Sequence, residues 1–419
     1  MRAQFSPDLG LRVLQAWFEN RTPLGPLRVM ADEMGYLFQI PLPGFQPFVV
    51  FGPSANRAVL VTQRQKLLWR NNDPVTDLLR RGVLVVDGKE HDYYRHLMES
   101  SLHPAKLSGY AEMMVGQTKR VSDDWQDGEV IDLFVECRKI ALLIIFQALF
   151  SEDIWAELPY LWKPILKAIA FISPGVWILW RQTPRPFFTT HLRDLDVYLY
   201  NLISKRRASE PRPDLLQSLI DADLSDDLIR DQMLTMLIAG HDTSTALLAW
   251  VFVLLGLHPE LMQELQQEID QEGKNPLLDA VIKEALRLYP PIHLGNRTVA
   301  EPLELAEGTI PAGERLFYSI YLTHRDARLW EDADEFRPHR FIGGRQTPPF
   351  SFVPFGGGPR ACIGAAFGQL EARLVLTYLL RTFSFEPLQF ERIRPHMGAT
   401  LEPSPAVRMR VQRRKQNLV

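Results

Sequence analysis

Between Gly35 and Phe51 the chain contains YLFQIPLPGFQPFVVF, with aromatic and β-branched residues on both sides of a Pro-Gly turn. That pattern predicts a hairpin, and Pro53 and Ser54 then open a short helix. From Tyr110 to Ala148, apolar positions recur every three or four residues between charged faces, the period of helices. The clearest long helix runs from Asp226 to Gly256. Asp226 and Asp227 favour its positive end, and Leu234, Leu237 and Ile238 begin an apolar stripe that continues through Leu247 and Val251. Gly256 reads as its stop signal, followed by His258 and Pro259. Glu260 to Ile269 and Leu277 to Leu288 read as two more helices, the second ending before Pro290-Pro291. Beyond Pro290 the texture changes to short strands and turns as far as Phe355. A last long helix begins past Gly364 and runs towards Leu380, and short strands follow. The proline-bearing segments Arg181–Pro186 and Ser209–Pro213 read as surface loops, and no internal repeat is visible. The expectation is one mainly α domain over residues 1–419 with a smaller β-rich lobe.

Composition narrows the class without choosing a function. A chain of 419 residues with 46% hydrophobic and 23% charged side chains can bury a substantial core, which excludes a disordered or fibrous protein. Its 47 basic and 50 acidic side chains nearly cancel, so no whole-molecule attraction to nucleic acid is expected. Two cysteines, Cys137 and Cys362, cannot supply a disulfide framework and suit a reducing, cytoplasmic setting. The N-terminal stretch MRAQFSPDLGLRVLQAWFEN lacks a continuous apolar segment and a cleavage pattern, so neither signal peptide nor membrane anchor is expected.

The candidate chemistry lies in Phe355-Gly-Gly-Gly-Pro-Arg-Ala-Cys362-Ile-Gly364. Its glycines permit sharp turns and close approach to a flat group. A thiolate two residues before a glycine and a helix can gain stabilisation from a metal, from amides or from the helix start. A lone cysteine of this kind reads equally as a buried inert thiol. The full pattern resembles the cysteine-ligand signature of the cytochrome P-450 family: Phe355, Gly358, Arg360, Cys362 and Gly364 fill every defining position. The resemblance implies a helix-rich triangular fold, haem b (iron protoporphyrin IX) as cofactor, and Cys362 as axial ligand to its iron. It also implies that Phe355 shields the sulfur and that Arg360 contacts a haem propionate. A thiolate ligand of that kind favours O–O cleavage.

Three further motifs stand in the family's order. Glu284-Ala-Leu-Arg287 puts opposite charges three residues apart on one helix face, and by resemblance Arg340 completes a structural charge network with them. Ala239-Gly-His-Asp-Thr243 lies inside the long helix. Gly240 weakens that helix, and the Thr243 hydroxyl can turn to an i−4 carbonyl, so both could open room beside a cofactor. By resemblance Thr243 organises bound oxygen, while Asp242 connects that site to a proton source. His241 occupies a variable position and is not expected to bind metal. His91 and Arg95 share a helix face, and the resemblance assigns both, with Arg297, to haem propionates.

The same resemblance sets Val83, Leu84, Ala239, Ile292 and Leu294 around a hydrophobic substrate, with Thr400 and Leu401 on a terminal hairpin entering the pocket. Trp155 to Trp180, including Trp162, Phe171, Trp177 and Ile178, matches the family's mobile cover, and Pro174-Gly175 should end its helix. Fatty acids and carotenoid-like terpenoids fit such a lining. The implied reaction is hydroxylation with O2 and two electrons from a separate ferredoxin or flavodoxin and its reductase, in a monomeric protein. A peroxide-driven hydroxylase or decarboxylase and a non-catalytic haem sensor are the rival readings. Asp242 and Thr243 favour dioxygen over either.

Overall fold

The computed structural model describes residues 6–69, 73–175, 185–271, 273–344 and 347–415. Apolar periodicity becomes packing most plainly in the long helix, Asp226–Leu257. Ser225 caps it by accepting from the Leu228 amide, with Asp226 and Asp227 in the first turn. It is long and apolar enough to cross a membrane, yet 78% of its most apolar window is buried inside the fold. Its neighbours explain that burial: the helices Leu133–Phe150, Pro276–Leu288 and Ala365–Thr382 all pack against it. Together they form the main core, which includes Ile140, Phe146, Leu234, Trp250, Leu278 and Leu376.

Helix ends follow local chemistry. Pro259–Asp270 and Pro276–Leu288 each start on a proline and bracket the expected segments. The Tyr110–Ala148 stretch resolves into Ala111–Ser122 and Leu133–Phe150, separated by a turn and the strand Val130–Asp132. The long helix ends at Leu257, one residue beyond Gly256. A Cβ on Gly256 would lie 2.7 Å from the Phe390 ring, so this glycine admits a packed aromatic.

The β-rich part is a five-stranded sheet beside the helices. Leu37–Gln39 and Phe48–Val50 form the expected antiparallel hairpin, with Leu37 opposite Val50. Phe48–Val50 then pairs in parallel with Arg315–Ser319, which lies antiparallel to Leu294–Val299. The short helix Pro53–Arg57 runs on into a wider turn, Ala58–Thr62. Near the C-terminal end, Arg394–Met397 and Leu401–Ser404 form a separate hairpin, with Met397 opposite Leu401.

The segment expected to form the cover holds the helix Leu158–Ile172, which ends before Pro174-Gly175, and the next described helix is Pro186–Arg207. Trp177, Ile178, Trp180 and Arg181 lie outside the described residues. Residues 209–213 form a connection without helix or strand.

Candidate active site

Glycine geometry shapes the cysteine loop. Gly356 and Gly358 have φ of 70° and 63°, in the left-handed region that side chains disfavour. A Cβ on Gly358 would lie 2.4 Å from the Leu60 carbonyl oxygen, so the loop closes onto the Ala58–Thr62 turn only with glycine there. The Cys362 amide donates to the Phe355 carbonyl at 2.8 Å, which closes the loop on itself. Gly364 then caps the helix Ala365–Thr382. The Cys362 side chain is exposed, although burial pushes its thiol up, against the pull of the Gly364 amide and Arg95. The sulfur is thus both accessible and closely surrounded by protein.

Hydrogen bonds tie four elements around that sulfur. Arg95, on the helix Gly88–Leu102, donates to the Ala361 carbonyl at 2.8 Å. Arg360 reaches the Val86 carbonyl and Asp87, the latter at 2.6 Å. The Val83 amide donates to Gln232 on the long helix at 2.8 Å. Ser244, beside Thr243, donates to Glu371 on the helix after the cysteine at 2.7 Å. The long helix, the 83–87 loop, the Gly88–Leu102 helix and the cysteine loop are thereby tied to one another.

Within that frame the long helix is buried nearly throughout, but Ala239 is exposed and Thr243 is half-buried. The Thr243 hydroxyl donates to the Ala239 carbonyl at 2.6 Å, the i−4 bond that loosens a helix at that turn. Gly240 plays a different part from the one its sequence suggests. A Cβ there would meet Ile145 at 2.7 Å, so it allows the Leu133–Phe150 helix to approach rather than opening space for a cofactor. Asp242 is buried, accepts from Thr400 at 2.8 Å and pairs with Arg138 at 3.3 Å. Burial raises its proton affinity, opposed by Arg138 and Thr400. His241 is buried with neither ring nitrogen bonded among the described residues, and burial lowers it to about 3.

A second group of residues is basic. Burial lowers Arg360, with Asp87 opposing and Arg297 and Arg64 adding to the effect. Burial likewise lowers His91, and both Arg360 and Arg95 repel its protonated form. His91 is buried and pairs with Asp92 at 2.9 Å. Arg297 stacks over Trp69 at 5.0 Å and Tyr318 at 5.6 Å. The Trp69 indole N–H is buried and has no acceptor among the described residues. Cations that disfavour one another's charge, beside an unpaired buried donor, fit an anionic group such as a propionate. With the accessible sulfur they form a donor set suited to haem iron and its carboxylates.

The charge network is complete. Arg287 Nε and Nη2 donate to the two Glu284 oxygens at 2.8 and 2.7 Å, and both side chains are fully buried. Arg340 donates to the same carboxylate at 3.1 Å. Arg287 also caps the carbonyls of His324, Ala333 and Glu335. This network anchors the segment leading to the cysteine loop.

The substrate-facing expectations divide. Leu84 and Ile292 are exposed apolar side chains at 40% and 42%, and Val83 and Leu294 are half-buried. Thr400 and Leu401 do not line an open pocket. Leu401 has no exposed surface and packs with Phe38, Val49 and Phe317, while its carbonyl accepts from Trp250. The Thr400 hydroxyl is spent on Asp242. The half-buried residue beside them is Ala399, in the bend before the strand Leu401–Ser404. Arg138, Glu402 and Glu371 escaped the sequence reading. Each carries a charge in an ordinary helix or strand pattern, and only the fold brings it to the site.

A family model described as Cytochrome P450 matches residues 11–409. Pentalenene oxygenase of Streptomyces avermitilis is 30% identical to this chain, over 95% of both sequences. Cyclooctatin synthase of Streptomyces melanosporofaciens is 29% identical, over 91% of this chain and 90% of its own. Among solved structures, the retinoic acid-bound cyanobacterial CYP120A1 superposes with a TM-score of 0.83 at 25% identity, covering 92% of this chain and 93% of its own. The match of motif, fold and nearly full length has one meaning: the chain belongs to the cytochrome P450 family of haem-dependent monooxygenases.

Proposed function

We propose that this protein, acting as one domain over its whole length, hydroxylates a hydrophobic terpenoid with O2 and two electrons. The observation that carries this reading is the exposed, protein-crowded Cys362 thiol on a glycine-built loop whose following helix is bonded through Glu371 to Ser244, beside exposed Ala239 and half-buried Thr243. Haem b, held by Cys362 and by His91, Arg95, Arg297 and Arg360, supplies oxygen activation when bound. Phe355 and Gly364 shape the sulfur's surroundings. The exposed apolar side chains Leu84 and Ile292, with Ala239, exclude water and orient an unactivated hydrocarbon. The Thr243 hydroxyl, hydrogen-bonded to the Ala239 carbonyl, would turn to hold a proton on the oxygen side, and buried Asp242 would supply it.

Relatives named for pentalenene and cyclooctatin, and a structural neighbour bound to retinoic acid, support the terpenoid reading over the fatty-acid one. Electrons come from a separate ferredoxin or flavodoxin and its reductase, and the two free cysteines suit a reducing cytoplasm. The test is a spectral binding screen of cyclic and linear terpenes, fatty acids and small aromatics, followed by turnover with a surrogate ferredoxin system. Terpenes should shift the haem spectrum and give regioselective alcohols. Turnover confined to fatty acids or polar aromatics overturns the substrate class. In Thr243→Ala the thiolate-haem spectrum should persist while product per electron falls and peroxide rises. Equal coupling in variant and parent removes Thr243 from the oxygen side.

A further inference from the structure

The long helix meets the Leu133–Phe150 helix and the terminal hairpin at one charged cluster. Arg138 places a single terminal nitrogen 3.3 Å from Asp242 Oδ1 and 3.3 Å from Glu402 Oε2. Its guanidinium lies over the Phe134 ring at 4.4 Å, and its buried Nε has no acceptor among the described residues. One nitrogen therefore serves two carboxylates at the long end of hydrogen-bond range. The second Asp242 oxygen is held by Thr400, two residues before Glu402 on the same hairpin. The Asp242 side chain is 2% exposed and that of Glu402 is 22% exposed, so the pair runs from the interior towards solvent.

We propose that Glu402 is a positioning residue for Asp242: by competing for Arg138 it sets how firmly Asp242 is held and how readily Asp242 passes a proton towards Thr243. This inference rests on the monooxygenase reading above. Glu402 titrates where such control matters. Burial and the Asp242 charge push it up to about 7, against Arg138. Two carboxylates on one cation titrate as a coupled pair. An ionised Glu402 draws on Arg138 and repels a second negative charge, so Asp242 keeps its proton to higher pH. A neutral Glu402 leaves Arg138 to Asp242 and favours the Asp242 carboxylate. The other titratable groups around the cluster are His241, buried on the long helix, and His396, opposite Glu402 in the hairpin register. Glu371 on the following helix is turned to Ser244 instead.

The test uses the haem-loaded protein and Glu402→Gln, which keeps the side-chain shape. Protonated-carboxyl infrared bands are followed between about pH 5 and 9, beside the pH dependence of product formed per electron. The parent should lose a carboxyl band near neutral pH. In Glu402→Gln that band should be absent, the remaining Asp242 transition should move down by about one unit, and the coupling profile should move the same way. Glu402→Asp should restore a second titrating carboxyl and the parent profile. The carbon monoxide spectrum should be unchanged in both variants. An Asp242 transition that stays in place in Glu402→Gln overturns the proposal. Absence of turnover in the parent on every substrate overturns the monooxygenase reading, while the infrared titration still decides whether Glu402 controls Asp242.

Discussion

Replacing Arg287 with lysine keeps the positive charge and removes the planar fork, which separates shape from charge at the buried network. All five guanidinium hydrogens are used: two go to Glu284 and three to the carbonyls of His324, Ala333 and Glu335. An ammonium offers three donors, so at least two acceptors lose their partner. At roughly 1–3 kcal/mol for each polar group left unsatisfied in the interior, Arg287→Lys should destabilise the fold by about 2–6 kcal/mol. That is a large share of the ~5–15 kcal/mol that holds a typical domain together. Arg287→Met, which leaves Glu284 to Arg340 and the Arg337 amide alone, should lose about 3–5 kcal/mol. Urea unfolding of the haem-loaded protein, followed by tryptophan fluorescence and by Soret absorbance, measures both. An Arg287→Lys curve within about 0.5 kcal/mol of the parent would refute the reasoning, because it would mean that the fork's extra bonds contribute nothing.

Three other substitutions test the buried acid and the loop geometry. Glu371 is buried, bonded only to Ser244 through one oxygen among the described residues, and pushed by burial up to about 8 from an ordinary 4.5. Its folded-state proton affinity exceeds the unfolded one, so its contribution is full below the unfolded value and is lost as pH rises through 8. Glu371→Gln should therefore flatten the fall of stability between those limits, and an unchanged pH-stability curve counts against a buried neutral acid. Gly358→Ala forces a side chain into the left-handed region and onto the Leu60 carbonyl. It should lower haem loading and stability by at least about 1–2 kcal/mol. Gly368→Ala, inside a helix with nothing within 4 Å of the new Cβ, should be neutral or gain up to about 1 kcal/mol. Equal effects at the two glycines, in pyridine haemochrome content and thermal midpoint, would contradict the loop geometry.

What the sequence made legible was local. The long helix, the helices after Pro259 and Pro276, and the Leu37–Val50 hairpin announce themselves through apolar period, caps and prolines acting within a few residues. The cysteine loop is legible for the same reason, since its ligand, its glycines and Arg360 are contiguous. The proton side of the site is not. Arg138 lies 104 residues from Asp242 and 264 from Glu402, and Thr400 lies 158 from Asp242, so no local pattern pairs them. Gly256 and Gly240 look like a stop and a gap in isolation, yet each makes room for a neighbour far along the chain, Phe390 and Ile145. The misplaced pocket residues on the terminal hairpin, Thr400 and Leu401, are both buried, one against Asp242 and the other among Phe38, Val49 and Phe317, contacts that only the fold brings together.

The central claim is that Cys362 sulfur is the axial ligand, and carbon monoxide difference spectroscopy of the reduced protein tests it most directly. The parent should show the thiolate-haem band. Cys362→Ala should lack it even where haem remains bound by His91, Arg95, Arg297 and Arg360, and an unchanged band in that variant would contradict the account.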